Sequence, residues 1–349
     1  MKTSLSSKAS CGTTATSTSA TALLAARCTR WPKKYRRSME NRSNNLTFRP
    51  AQLEDAPALY SLARAEGGNE RLTPEFIRHW YFHNPSGSFS IETAWLNGQP
   101  AGMATSNNFR FRINGEERIV AMPQNVLTSG AVRGKGVFGK LYFRTEEANR
   151  ASGADTFLTF TNELSTPIFL QKFGYRRGRC PDVLLYPFRP GALFSTYRFR
   201  QLEMDSLSLE TLYGPENALQ KDAEWFQWRY QRYPPGIIRF IEVSKDGEVS
   251  GVLVFKKEKK KGLPFLLLMD VLAGDEKSFG ATLKAAPVAA SRCGALFLLA
   301  FENPLAPPRG LHKRILNRFN FLVKGRNEAD TQRLATTDYT LFFGDMDIV

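Results

Sequence analysis

Residues 126–141 constrain the fold of this chain more than any other stretch. They read Val-Leu-Thr-Ser-Gly-Ala-Val-Arg-Gly-Lys-Gly-Val-Phe-Gly-Lys-Leu, which predicts a strand, a glycine-rich turn and the first turn of a helix. Gly134 and Gly136 let the backbone approach a ligand closely, because no Cβ intervenes. A helix starting just beyond them points its unpaired N–H groups and positive dipole end into the turn. Such a turn suits a phosphate group.

Three phosphate-binding patterns compete for these residues. The G-x-x-x-x-G-K-[ST] loop needs a hydroxyl for magnesium and a longer spacing. Gly130 precedes Gly134 and Lys135 by one residue too few, and Gly136 stands where Ser or Thr belongs. The dinucleotide pattern G-x-G-x-x-G is met by Gly134, Gly136 and Gly139, with Glu163 near the place of a ribose-binding acid. In that motif, however, the strand runs almost directly into the first glycine, whereas residues 129–133 intervene here.

The third pattern fits better. Arg133-x-x-Gly136 after a strand ending at Thr128 resembles the pyrophosphate loop of the GNAT acyltransferases, the Gcn5-related N-acetyltransferases. Leu46 to Ala51, followed by Glu54 to Leu59, is similar to that family's first strand and helix. Asn162 to Ser165 and Phe169 to Tyr175 are similar to the end of its fifth strand and the helix beyond. The resemblance covers about residues 46–188. It implies that Val126, Leu127 and Thr128 pair with the pantetheine amides of acetyl-CoA. Arg133, Gly134, Lys135, Gly136, Val137, Phe138 and Gly139 would hold the pyrophosphate, and Asn162 would touch the pantetheine arm or serve as a turn residue. Two departures stand out. Phe138 occupies a position that the family keeps small. Phe169 and Leu170 stand where many members carry a tyrosine that protonates the leaving thiolate, and Tyr175 reads as a packing residue.

Charge and cysteine usage narrow the alternatives. The net charge is +15, of which about half lies in residues 1–45, where nine Lys and Arg face one acid, Glu40. No basic–aromatic element accompanies it, so neither nucleic acid nor membrane is an expected partner. The run from Lys256 to Lys261 reads as a solvated hairpin turn. Cys11, Cys28, Cys180 and Cys293 are scattered, with no partner at metal spacing, so no metal is expected and a reducing, cytoplasmic setting is. Residues 1–45 are expected to be a disordered tail or an over-extended start, with Met39 as the working start.

The order of elements then repeats. Trp225-Phe226-Gln227-Trp228-Arg229-Tyr230 echoes Phe76-Ile77-Arg78-His79-Trp80-Tyr81. A hairpin turning at Asp246-Gly247 echoes one at Asn97-Gly98, and a helix near Lys277 to Arg292 follows a further strand. The second copy has Ala273-Gly274-Asp275-Glu276-Lys277 where the phosphate loop should stand, and its acids would repel a pyrophosphate. The fold class expected is α/β with a mixed sheet: two tandem GNAT-like folds, at 46–188 and, degenerate, at 195–349.

Amine acylation needs a proton acceptor for the substrate ammonium. Glu163 is the best-placed carboxylate, with a helix-capping surface role as its alternative; Glu92 and Asp182 rank lower. His79 and His83 have i,i+4 spacing but no evident third ligand, and read as packing or exposed histidines. The expected function is transfer of an acetyl or other acyl group from acetyl-CoA to a small-molecule amine. The two-repeat layout resembles acetyltransferases of bacterial surface-polysaccharide synthesis, which implies an amino sugar as acceptor; the degenerate second half is expected to shape the substrate groove or the surface of a homodimer. A non-catalytic acyl-CoA-binding or scaffold protein is the alternative, and a nicotinamide-dependent dehydrogenase stands third.

Overall fold

Asparagine–glycine pairs set the hairpins. In the computed structural model, which describes residues 46–67, 70–210, 212–315 and 319–346, Asn97 and Gly98 have φ of 53° and 75°, and Asn114 and Gly115 have 53° and 78°. Both central residues of a two-residue turn are left-handed, as the twist of a tight hairpin demands. The expected tail or over-extended start at residues 1–45 lies outside the described residues.

These turns build an antiparallel meander. β1 (Leu46–Pro50) pairs with β2 (Phe89–Leu96), which pairs with β3 (Gln99–Ile113) and so with β4 (Glu116–Thr128). Between β1 and β2 run α1 (Ala56–Gly67) and α2 (Pro74–Ile77), the latter continuing as a π-helical turn over Arg78–Phe82. The Thr73 hydroxyl caps α2 by accepting the Phe76 N–H at 3.2 Å, with proline in the first turn. After the glycine turn, α3 (Val137–Ala151) crosses the sheet and leads to β5 (Thr156–Thr161), parallel to β4. α4 (Thr166–Lys172) and the short β6 (Arg176–Arg177) follow.

Each sheet then takes a strand from the other half of the chain. β7 (Val183–Pro187) leaves for the second sheet and pairs with β13 (Phe297–Phe301) and β14 (Lys313–Ile315). In exchange, β15 (Asn320–Lys324) enters the first sheet between β5 and β6, and α7 (Glu328–Thr336) packs beside it. The second sheet otherwise mirrors the first. β8 (Tyr197–Leu202), β10 (Ile238–Lys245), β11 (Glu248–Lys260) and β12 (Leu263–Leu272) pair antiparallel in turn, α6 (Glu276–Arg292) crosses over, and β13 lies parallel to β12. The short β9 (Ala218–Leu219) pairs with β3, and α5 (Ala223–Gln231) precedes β10. The run from Lys256 to Lys261 is mostly strand rather than turn. Lys256 is buried in β11 and pairs with Glu258 at 2.6 Å, while only Lys261-Gly262 makes the hairpin bend.

The two echoing aromatic motifs meet face to face. The His79 ring Nε2 donates to the Trp228 carbonyl at 2.8 Å, and the Trp228 indole N–H donates to the His79 carbonyl at 3.0 Å. Trp80 stacks on Trp228 at 4.6 Å between ring centroids. His79 and Trp228 are equivalent positions of the two motifs, so each makes to the other the contact it receives, as in an isologous interface. One apolar core, including Leu59, Trp80, Phe111, Trp228, Met269 and Phe321, runs through both halves.

A buried ion pair fastens the C-terminal helix to the first sheet. Arg118 of β4 is fully buried and meets Asp330 of α7 at 2.9 Å, with Glu116 as a second partner at 2.8 Å. Hydrogen bonds from Arg118 and from the Arg326 and Arg333 groups outweigh burial and hold the Asp330 carboxyl down at about 2. Its folded value lies below its unfolded one, so this stability is present above pH ~4 and is lost as pH falls toward 2. Asp330→Asn is expected to lower unfolding free energy at pH 7 by ~2–4 kcal/mol, since it leaves the buried Arg118 with Glu116 as its one carboxylate partner. Denaturant titrations of both proteins at pH 7 and pH 3 check this, and the gap should narrow at pH 3.

Candidate active site

The site begins with a break in strand pairing. β4 and β5 pair only at Val120 with Thr156 and Ala121 with Phe157. Beyond that point the Thr159 hydroxyl, rather than a backbone N–H, donates to the Pro123 carbonyl at 2.8 Å. The strands then part, and Gln124 to Thr128 are half-buried. A backbone that stops pairing exposes unpaired N–H and C=O groups, which an extended ligand can use.

A bulge accompanies the break. Met103 faces Leu127 and Thr105 faces Gln124, so β4 carries one residue more than β3 across this interval. Asn125 absorbs it with φ at 43°, a conformation that asparagine tolerates better than most residues. Three side chains pin it. The Asn125 amide donates to the Tyr81 hydroxyl at 3.0 Å, which lies 2.7 Å from the Thr105 hydroxyl, and Thr105 in turn donates to the Gln124 carbonyl at 2.8 Å. The Trp80 indole N–H donates to Gln124 Oε1 at 2.8 Å. Tyr81 comes from the π-helical turn, so the aromatic seam between the halves also fixes the bulge. No motif in the sequence marks Gln124, Asn125, Thr105 or Tyr81 as groups that shape the site. An asparagine inside an apolar strand was the available signal.

Beyond Thr128 the glycine turn takes the expected form. Ser129 caps a 3-10 turn over Gly130–Val132, and Gly134 and Gly136 both have φ of 75°. Gly136 is the N-cap of α3 and has no side chain to satisfy the helix's first N–H groups. The N–H groups of Val137, Phe138 and Gly139 therefore face the turn uncapped. A Cβ on Gly134 or Gly139 would meet nothing within 4 Å, so the turn stands open. The ring of Phe138 turns away and stacks on Phe173 at 6.1 Å, leaving only its backbone at the turn. Lys135 folds back to donate to the Ala131 carbonyl at 2.9 Å.

Glu66, at the end of α1, occupies two of the site's donors. Its carboxylate accepts the Gly130 N–H at 3.0 Å and pairs with the exposed Arg133 guanidinium at 2.7 Å. The Gly130 N–H above all keeps Glu66 below the usual carboxylate range. An acid was not expected here, and no spacing in the sequence brings residues 66 and 133 together.

The remaining candidates separate into spent and exposed groups. Asn162 Oδ1 accepts the Ser165 N–H at 2.9 Å and the Ser165 hydroxyl at 3.0 Å, as a turn asparagine does. Glu163 is exposed on the same turn, one residue on. Glu92 is buried against Arg144 at 2.7 Å, and Asp182 pairs with Arg314 at 3.1 Å. Phe169 is buried in the packing beneath α3 and α4. The Tyr142 hydroxyl donates to that of Tyr175 at 2.7 Å, and burial raises both well above the ordinary tyrosine value. His79 is committed to Trp228, and burial lowers its pKa, keeping it neutral. Among the described residues, no three metal-ligating side chains converge.

The corresponding places in the second half are closed. Pairing between β12 and β13 ends at Leu267 with Leu299, and the chain's own turn Phe343–Asp345 sits beyond it. Phe343 packs on Phe301 at 4.7 Å, and a Cβ on Gly344 would collide with the Met269 carbonyl and Asp270. Arg229 clamps this turn by donating to the Gly344 and Met346 carbonyls at 2.7 and 2.9 Å. Lys221 bridges Asp270 at 2.5 Å and Asp345 at 2.6 Å. At the start of α6, Asp275 takes the Ser278 N–H at 2.9 Å, so that helix caps itself.

No family model matches this sequence, and no curated protein is significantly similar to it. Solved structures are similar in fold. A GCN5-related N-acetyltransferase from Anabaena variabilis superposes with a TM-score of 0.59 at 10% identity, covering 81% of this chain and 73% of its own. One from Kribbella flavida gives 0.57 at 12%, covering 84% and 74%. Eis1 from Mycobacterium abscessus gives 0.53 at 14%, covering 81% and 74%. The likeness extends past residue 188 into the second half, and no helix among the described residues is long and apolar enough to cross a membrane. With its split β4–β5 pair and open glycine turn, this chain has the fold of the GCN5-related N-acetyltransferases.

Proposed function

We propose that the first half binds acetyl-CoA or a related acyl-CoA and transfers the acyl group to a small-molecule amine. The carrying observation is the combination of an unpaired β4 edge with an uncapped helix N-terminus across an open glycine turn, on an acetyltransferase fold. The edge of Val126, Leu127 and Thr128 would pair with the pantetheine amides. The turn from Arg133 to Gly139 would hold the pyrophosphate, and residual positive charge would favour the anionic cofactor. Asn162 spends its side-chain oxygen on its own turn, which favours a turn role over a ligand contact. The second half is read as a degenerate copy, because its own chain fills the equivalent split. One cofactor per chain follows.

The chemistry is direct attack. The neutral amine nitrogen bonds to the thioester carbon, the C–S bond breaks, and the sulfur leaves as thiolate. The nitrogen gives up its proton to solvent or to Glu163, and water protonates the thiolate. Phe169 and Leu170 offer no acid, so the protein acts mainly through orientation. The bulge pinned by Tyr81 and Asn125 sets the backbone where the acyl group would lie. An amino sugar as acceptor rests on resemblance of layout alone. The second reading, an acyl-CoA-binding protein without activity, is favoured by the missing acid.

Calorimetric titration of acetyl-CoA, with parent and Gly136→Glu protein compared, tests the site. One-to-one micromolar binding by the parent and none by the variant is expected, since φ of 75° strains any side chain there and the new carboxylate repels phosphate. A folded parent that binds no acetyl-CoA removes the proposal, and binding without transfer to any amine in a broad screen favours the second reading.

Glu66 supplies a further expectation. A pyrophosphate must compete with its carboxylate for Arg133 and the Gly130 N–H. Glu66→Gln is therefore expected to tighten acetyl-CoA binding by roughly 2–5-fold at low salt, with a smaller gain at high salt, as befits a largely exposed pair. Weakened binding would mean that Glu66 holds Arg133 in place for the cofactor.

A further inference from the structure

One end of the second sheet gathers residues that lie far apart in the chain. Strands β7, β13, β12, β11 and β10 are neighbours in that order, and the register brings one set of their ends together. Lys260 at the close of β11 faces Leu263 at the start of β12, and Lys256 faces Ile238 at the start of β10. The Leu296 N–H donates to the Pro264 carbonyl at 3.1 Å, and the Phe188 N–H donates to the Leu296 carbonyl at 2.8 Å. Beyond Phe188, the turn Pro190–Phe194 docks on the end of α6, where the Arg292 side chain donates to the Ala192 carbonyl at 2.9 Å. At about 4.8 Å per strand, this end is roughly 20 Å wide.

Two kinds of side chain stand on it. Phe188, Phe194, Leu263 and Leu296 are exposed, Phe194 by 90%. Lys257, Lys259, Lys260, Lys261 and Arg292 belong to the same segments. Residues 186–196, 234–240, 256–265 and 291–297 contain a single acid, Glu258. It pairs with the buried Lys256 at 2.6 Å, so it does not offset the exposed Lys259, Lys260 and Lys261. Single exposed apolar residues are ordinary. Phenylalanine and leucine set among unbalanced cations match a more particular surface, because apolar side chains enter the headgroup boundary of a bilayer while lysines meet its anionic heads. A nucleic acid would use the cations and can stack on Phe194, but it leaves Leu263 and Leu296 without a role. No one stretch of sequence carries the whole pattern, which is why the sequence alone points to no membrane partner. The fold assembles it from separate segments.

We infer that this end of the second sheet docks on an anionic lipid surface, with Phe194 and Leu263 at the headgroup boundary and Lys259, Lys260 and Lys261 on the lipid heads. The inference does not depend on acyl transfer at the glycine turn.

The test is co-sedimentation of the full chain with phosphatidylcholine vesicles containing about 30% phosphatidylserine, against vesicles of phosphatidylcholine alone. Binding to the anionic vesicles is expected to be stronger by roughly tenfold or more, and to fall as salt rises. Residues 1–45 are also basic, so two sets of exposed changes locate the contact. Lys259→Glu, Lys260→Glu and Lys261→Glu together, and Phe194→Ser with Leu263→Ser, should each weaken binding by roughly tenfold or more. Unchanged thermal unfolding shows that the variants fold, and should one set unfold, the other decides. Their acetyl-CoA titrations should match the parent's, which separates failure here from failure of the acyl-CoA site. No preference for anionic vesicles, or a folded variant that binds them as the parent does, overturns the inference. Binding of a single-stranded oligonucleotide without binding of vesicles overturns it too, and assigns the cations to nucleic acid.

Discussion

The candidate site depends on where β4 stops pairing with β5. Two parallel pairs, Val120 with Thr156 and Ala121 with Phe157, hold the strands together. Past them β5 turns its other edge to β15 along five residues. The exchanged strand thus gives β5 a full partner on one side, and β5 can leave β4 without losing its place in the sheet. Asn125 makes the departure permanent, because its extra residue breaks the ladder register and three polar side chains lock it. A groove between parallel strands would otherwise collapse into continued pairing. Here the aromatic seam between the halves and the strand from the C-terminal region both resist that collapse.

The second sheet shows the same break with the opposite outcome. Tyr230 holds Asp270 of β12 at 2.7 Å, much as Tyr81 holds Asn125 of β4. Replacing an amide by a carboxylate changes what can sit beside it. Burial, aided by Asp345 and opposed by Lys221, raises Asp270 to about 6. A buried carboxylate of this kind needs a cation and donors close by. Lys221 and the turn at Asp345 supply that environment by filling the space that the first half leaves open. Asp275 makes the same contrast at the helix: a side chain that caps its own N–H groups leaves less for a phosphate than Gly136 does.

Much of this was legible in the sequence because local chemistry dictated it. The Asn-Gly turns, the Thr73-Pro74 helix start and the glycine turn each follow from backbone conformations that few residues accept. The echo of Trp225–Tyr230 with Phe76–Tyr81 also pointed to the seam, where His79 and Trp228 exchange hydrogen bonds. What stayed hidden was non-local. Nothing near residue 320 announces that β15 belongs beside β5, 159 residues earlier, since an apolar strand reads alike in either sheet. Glu66 reads as a helix-surface acid until α1 is placed against the turn. Lys256 sits in a run that looks solvated, yet strand pairing buries it beside Tyr233.

The missing tyrosine acid is a small obstacle to the proposed transfer. A thiol titrates near 8.5, so a departing thiolate is a stable leaving group near neutral pH and needs no proton in the transition state. An aliphatic amine titrates near 10.4, so at pH 7 roughly one molecule in 2,500 is neutral. The harder requirement of the proposed transfer is therefore proton removal from the acceptor and alignment of its lone pair with the thioester. Phe169 in place of an acid adds apolar packing beneath α3, where it meets Tyr142 at 5.0 Å and Tyr175 at 5.2 Å. That packing steadies the helix whose N-terminus faces the glycine turn. In this chain the position serves the packing of α3, and in the proposed transfer orientation would carry what a proton donor otherwise supplies.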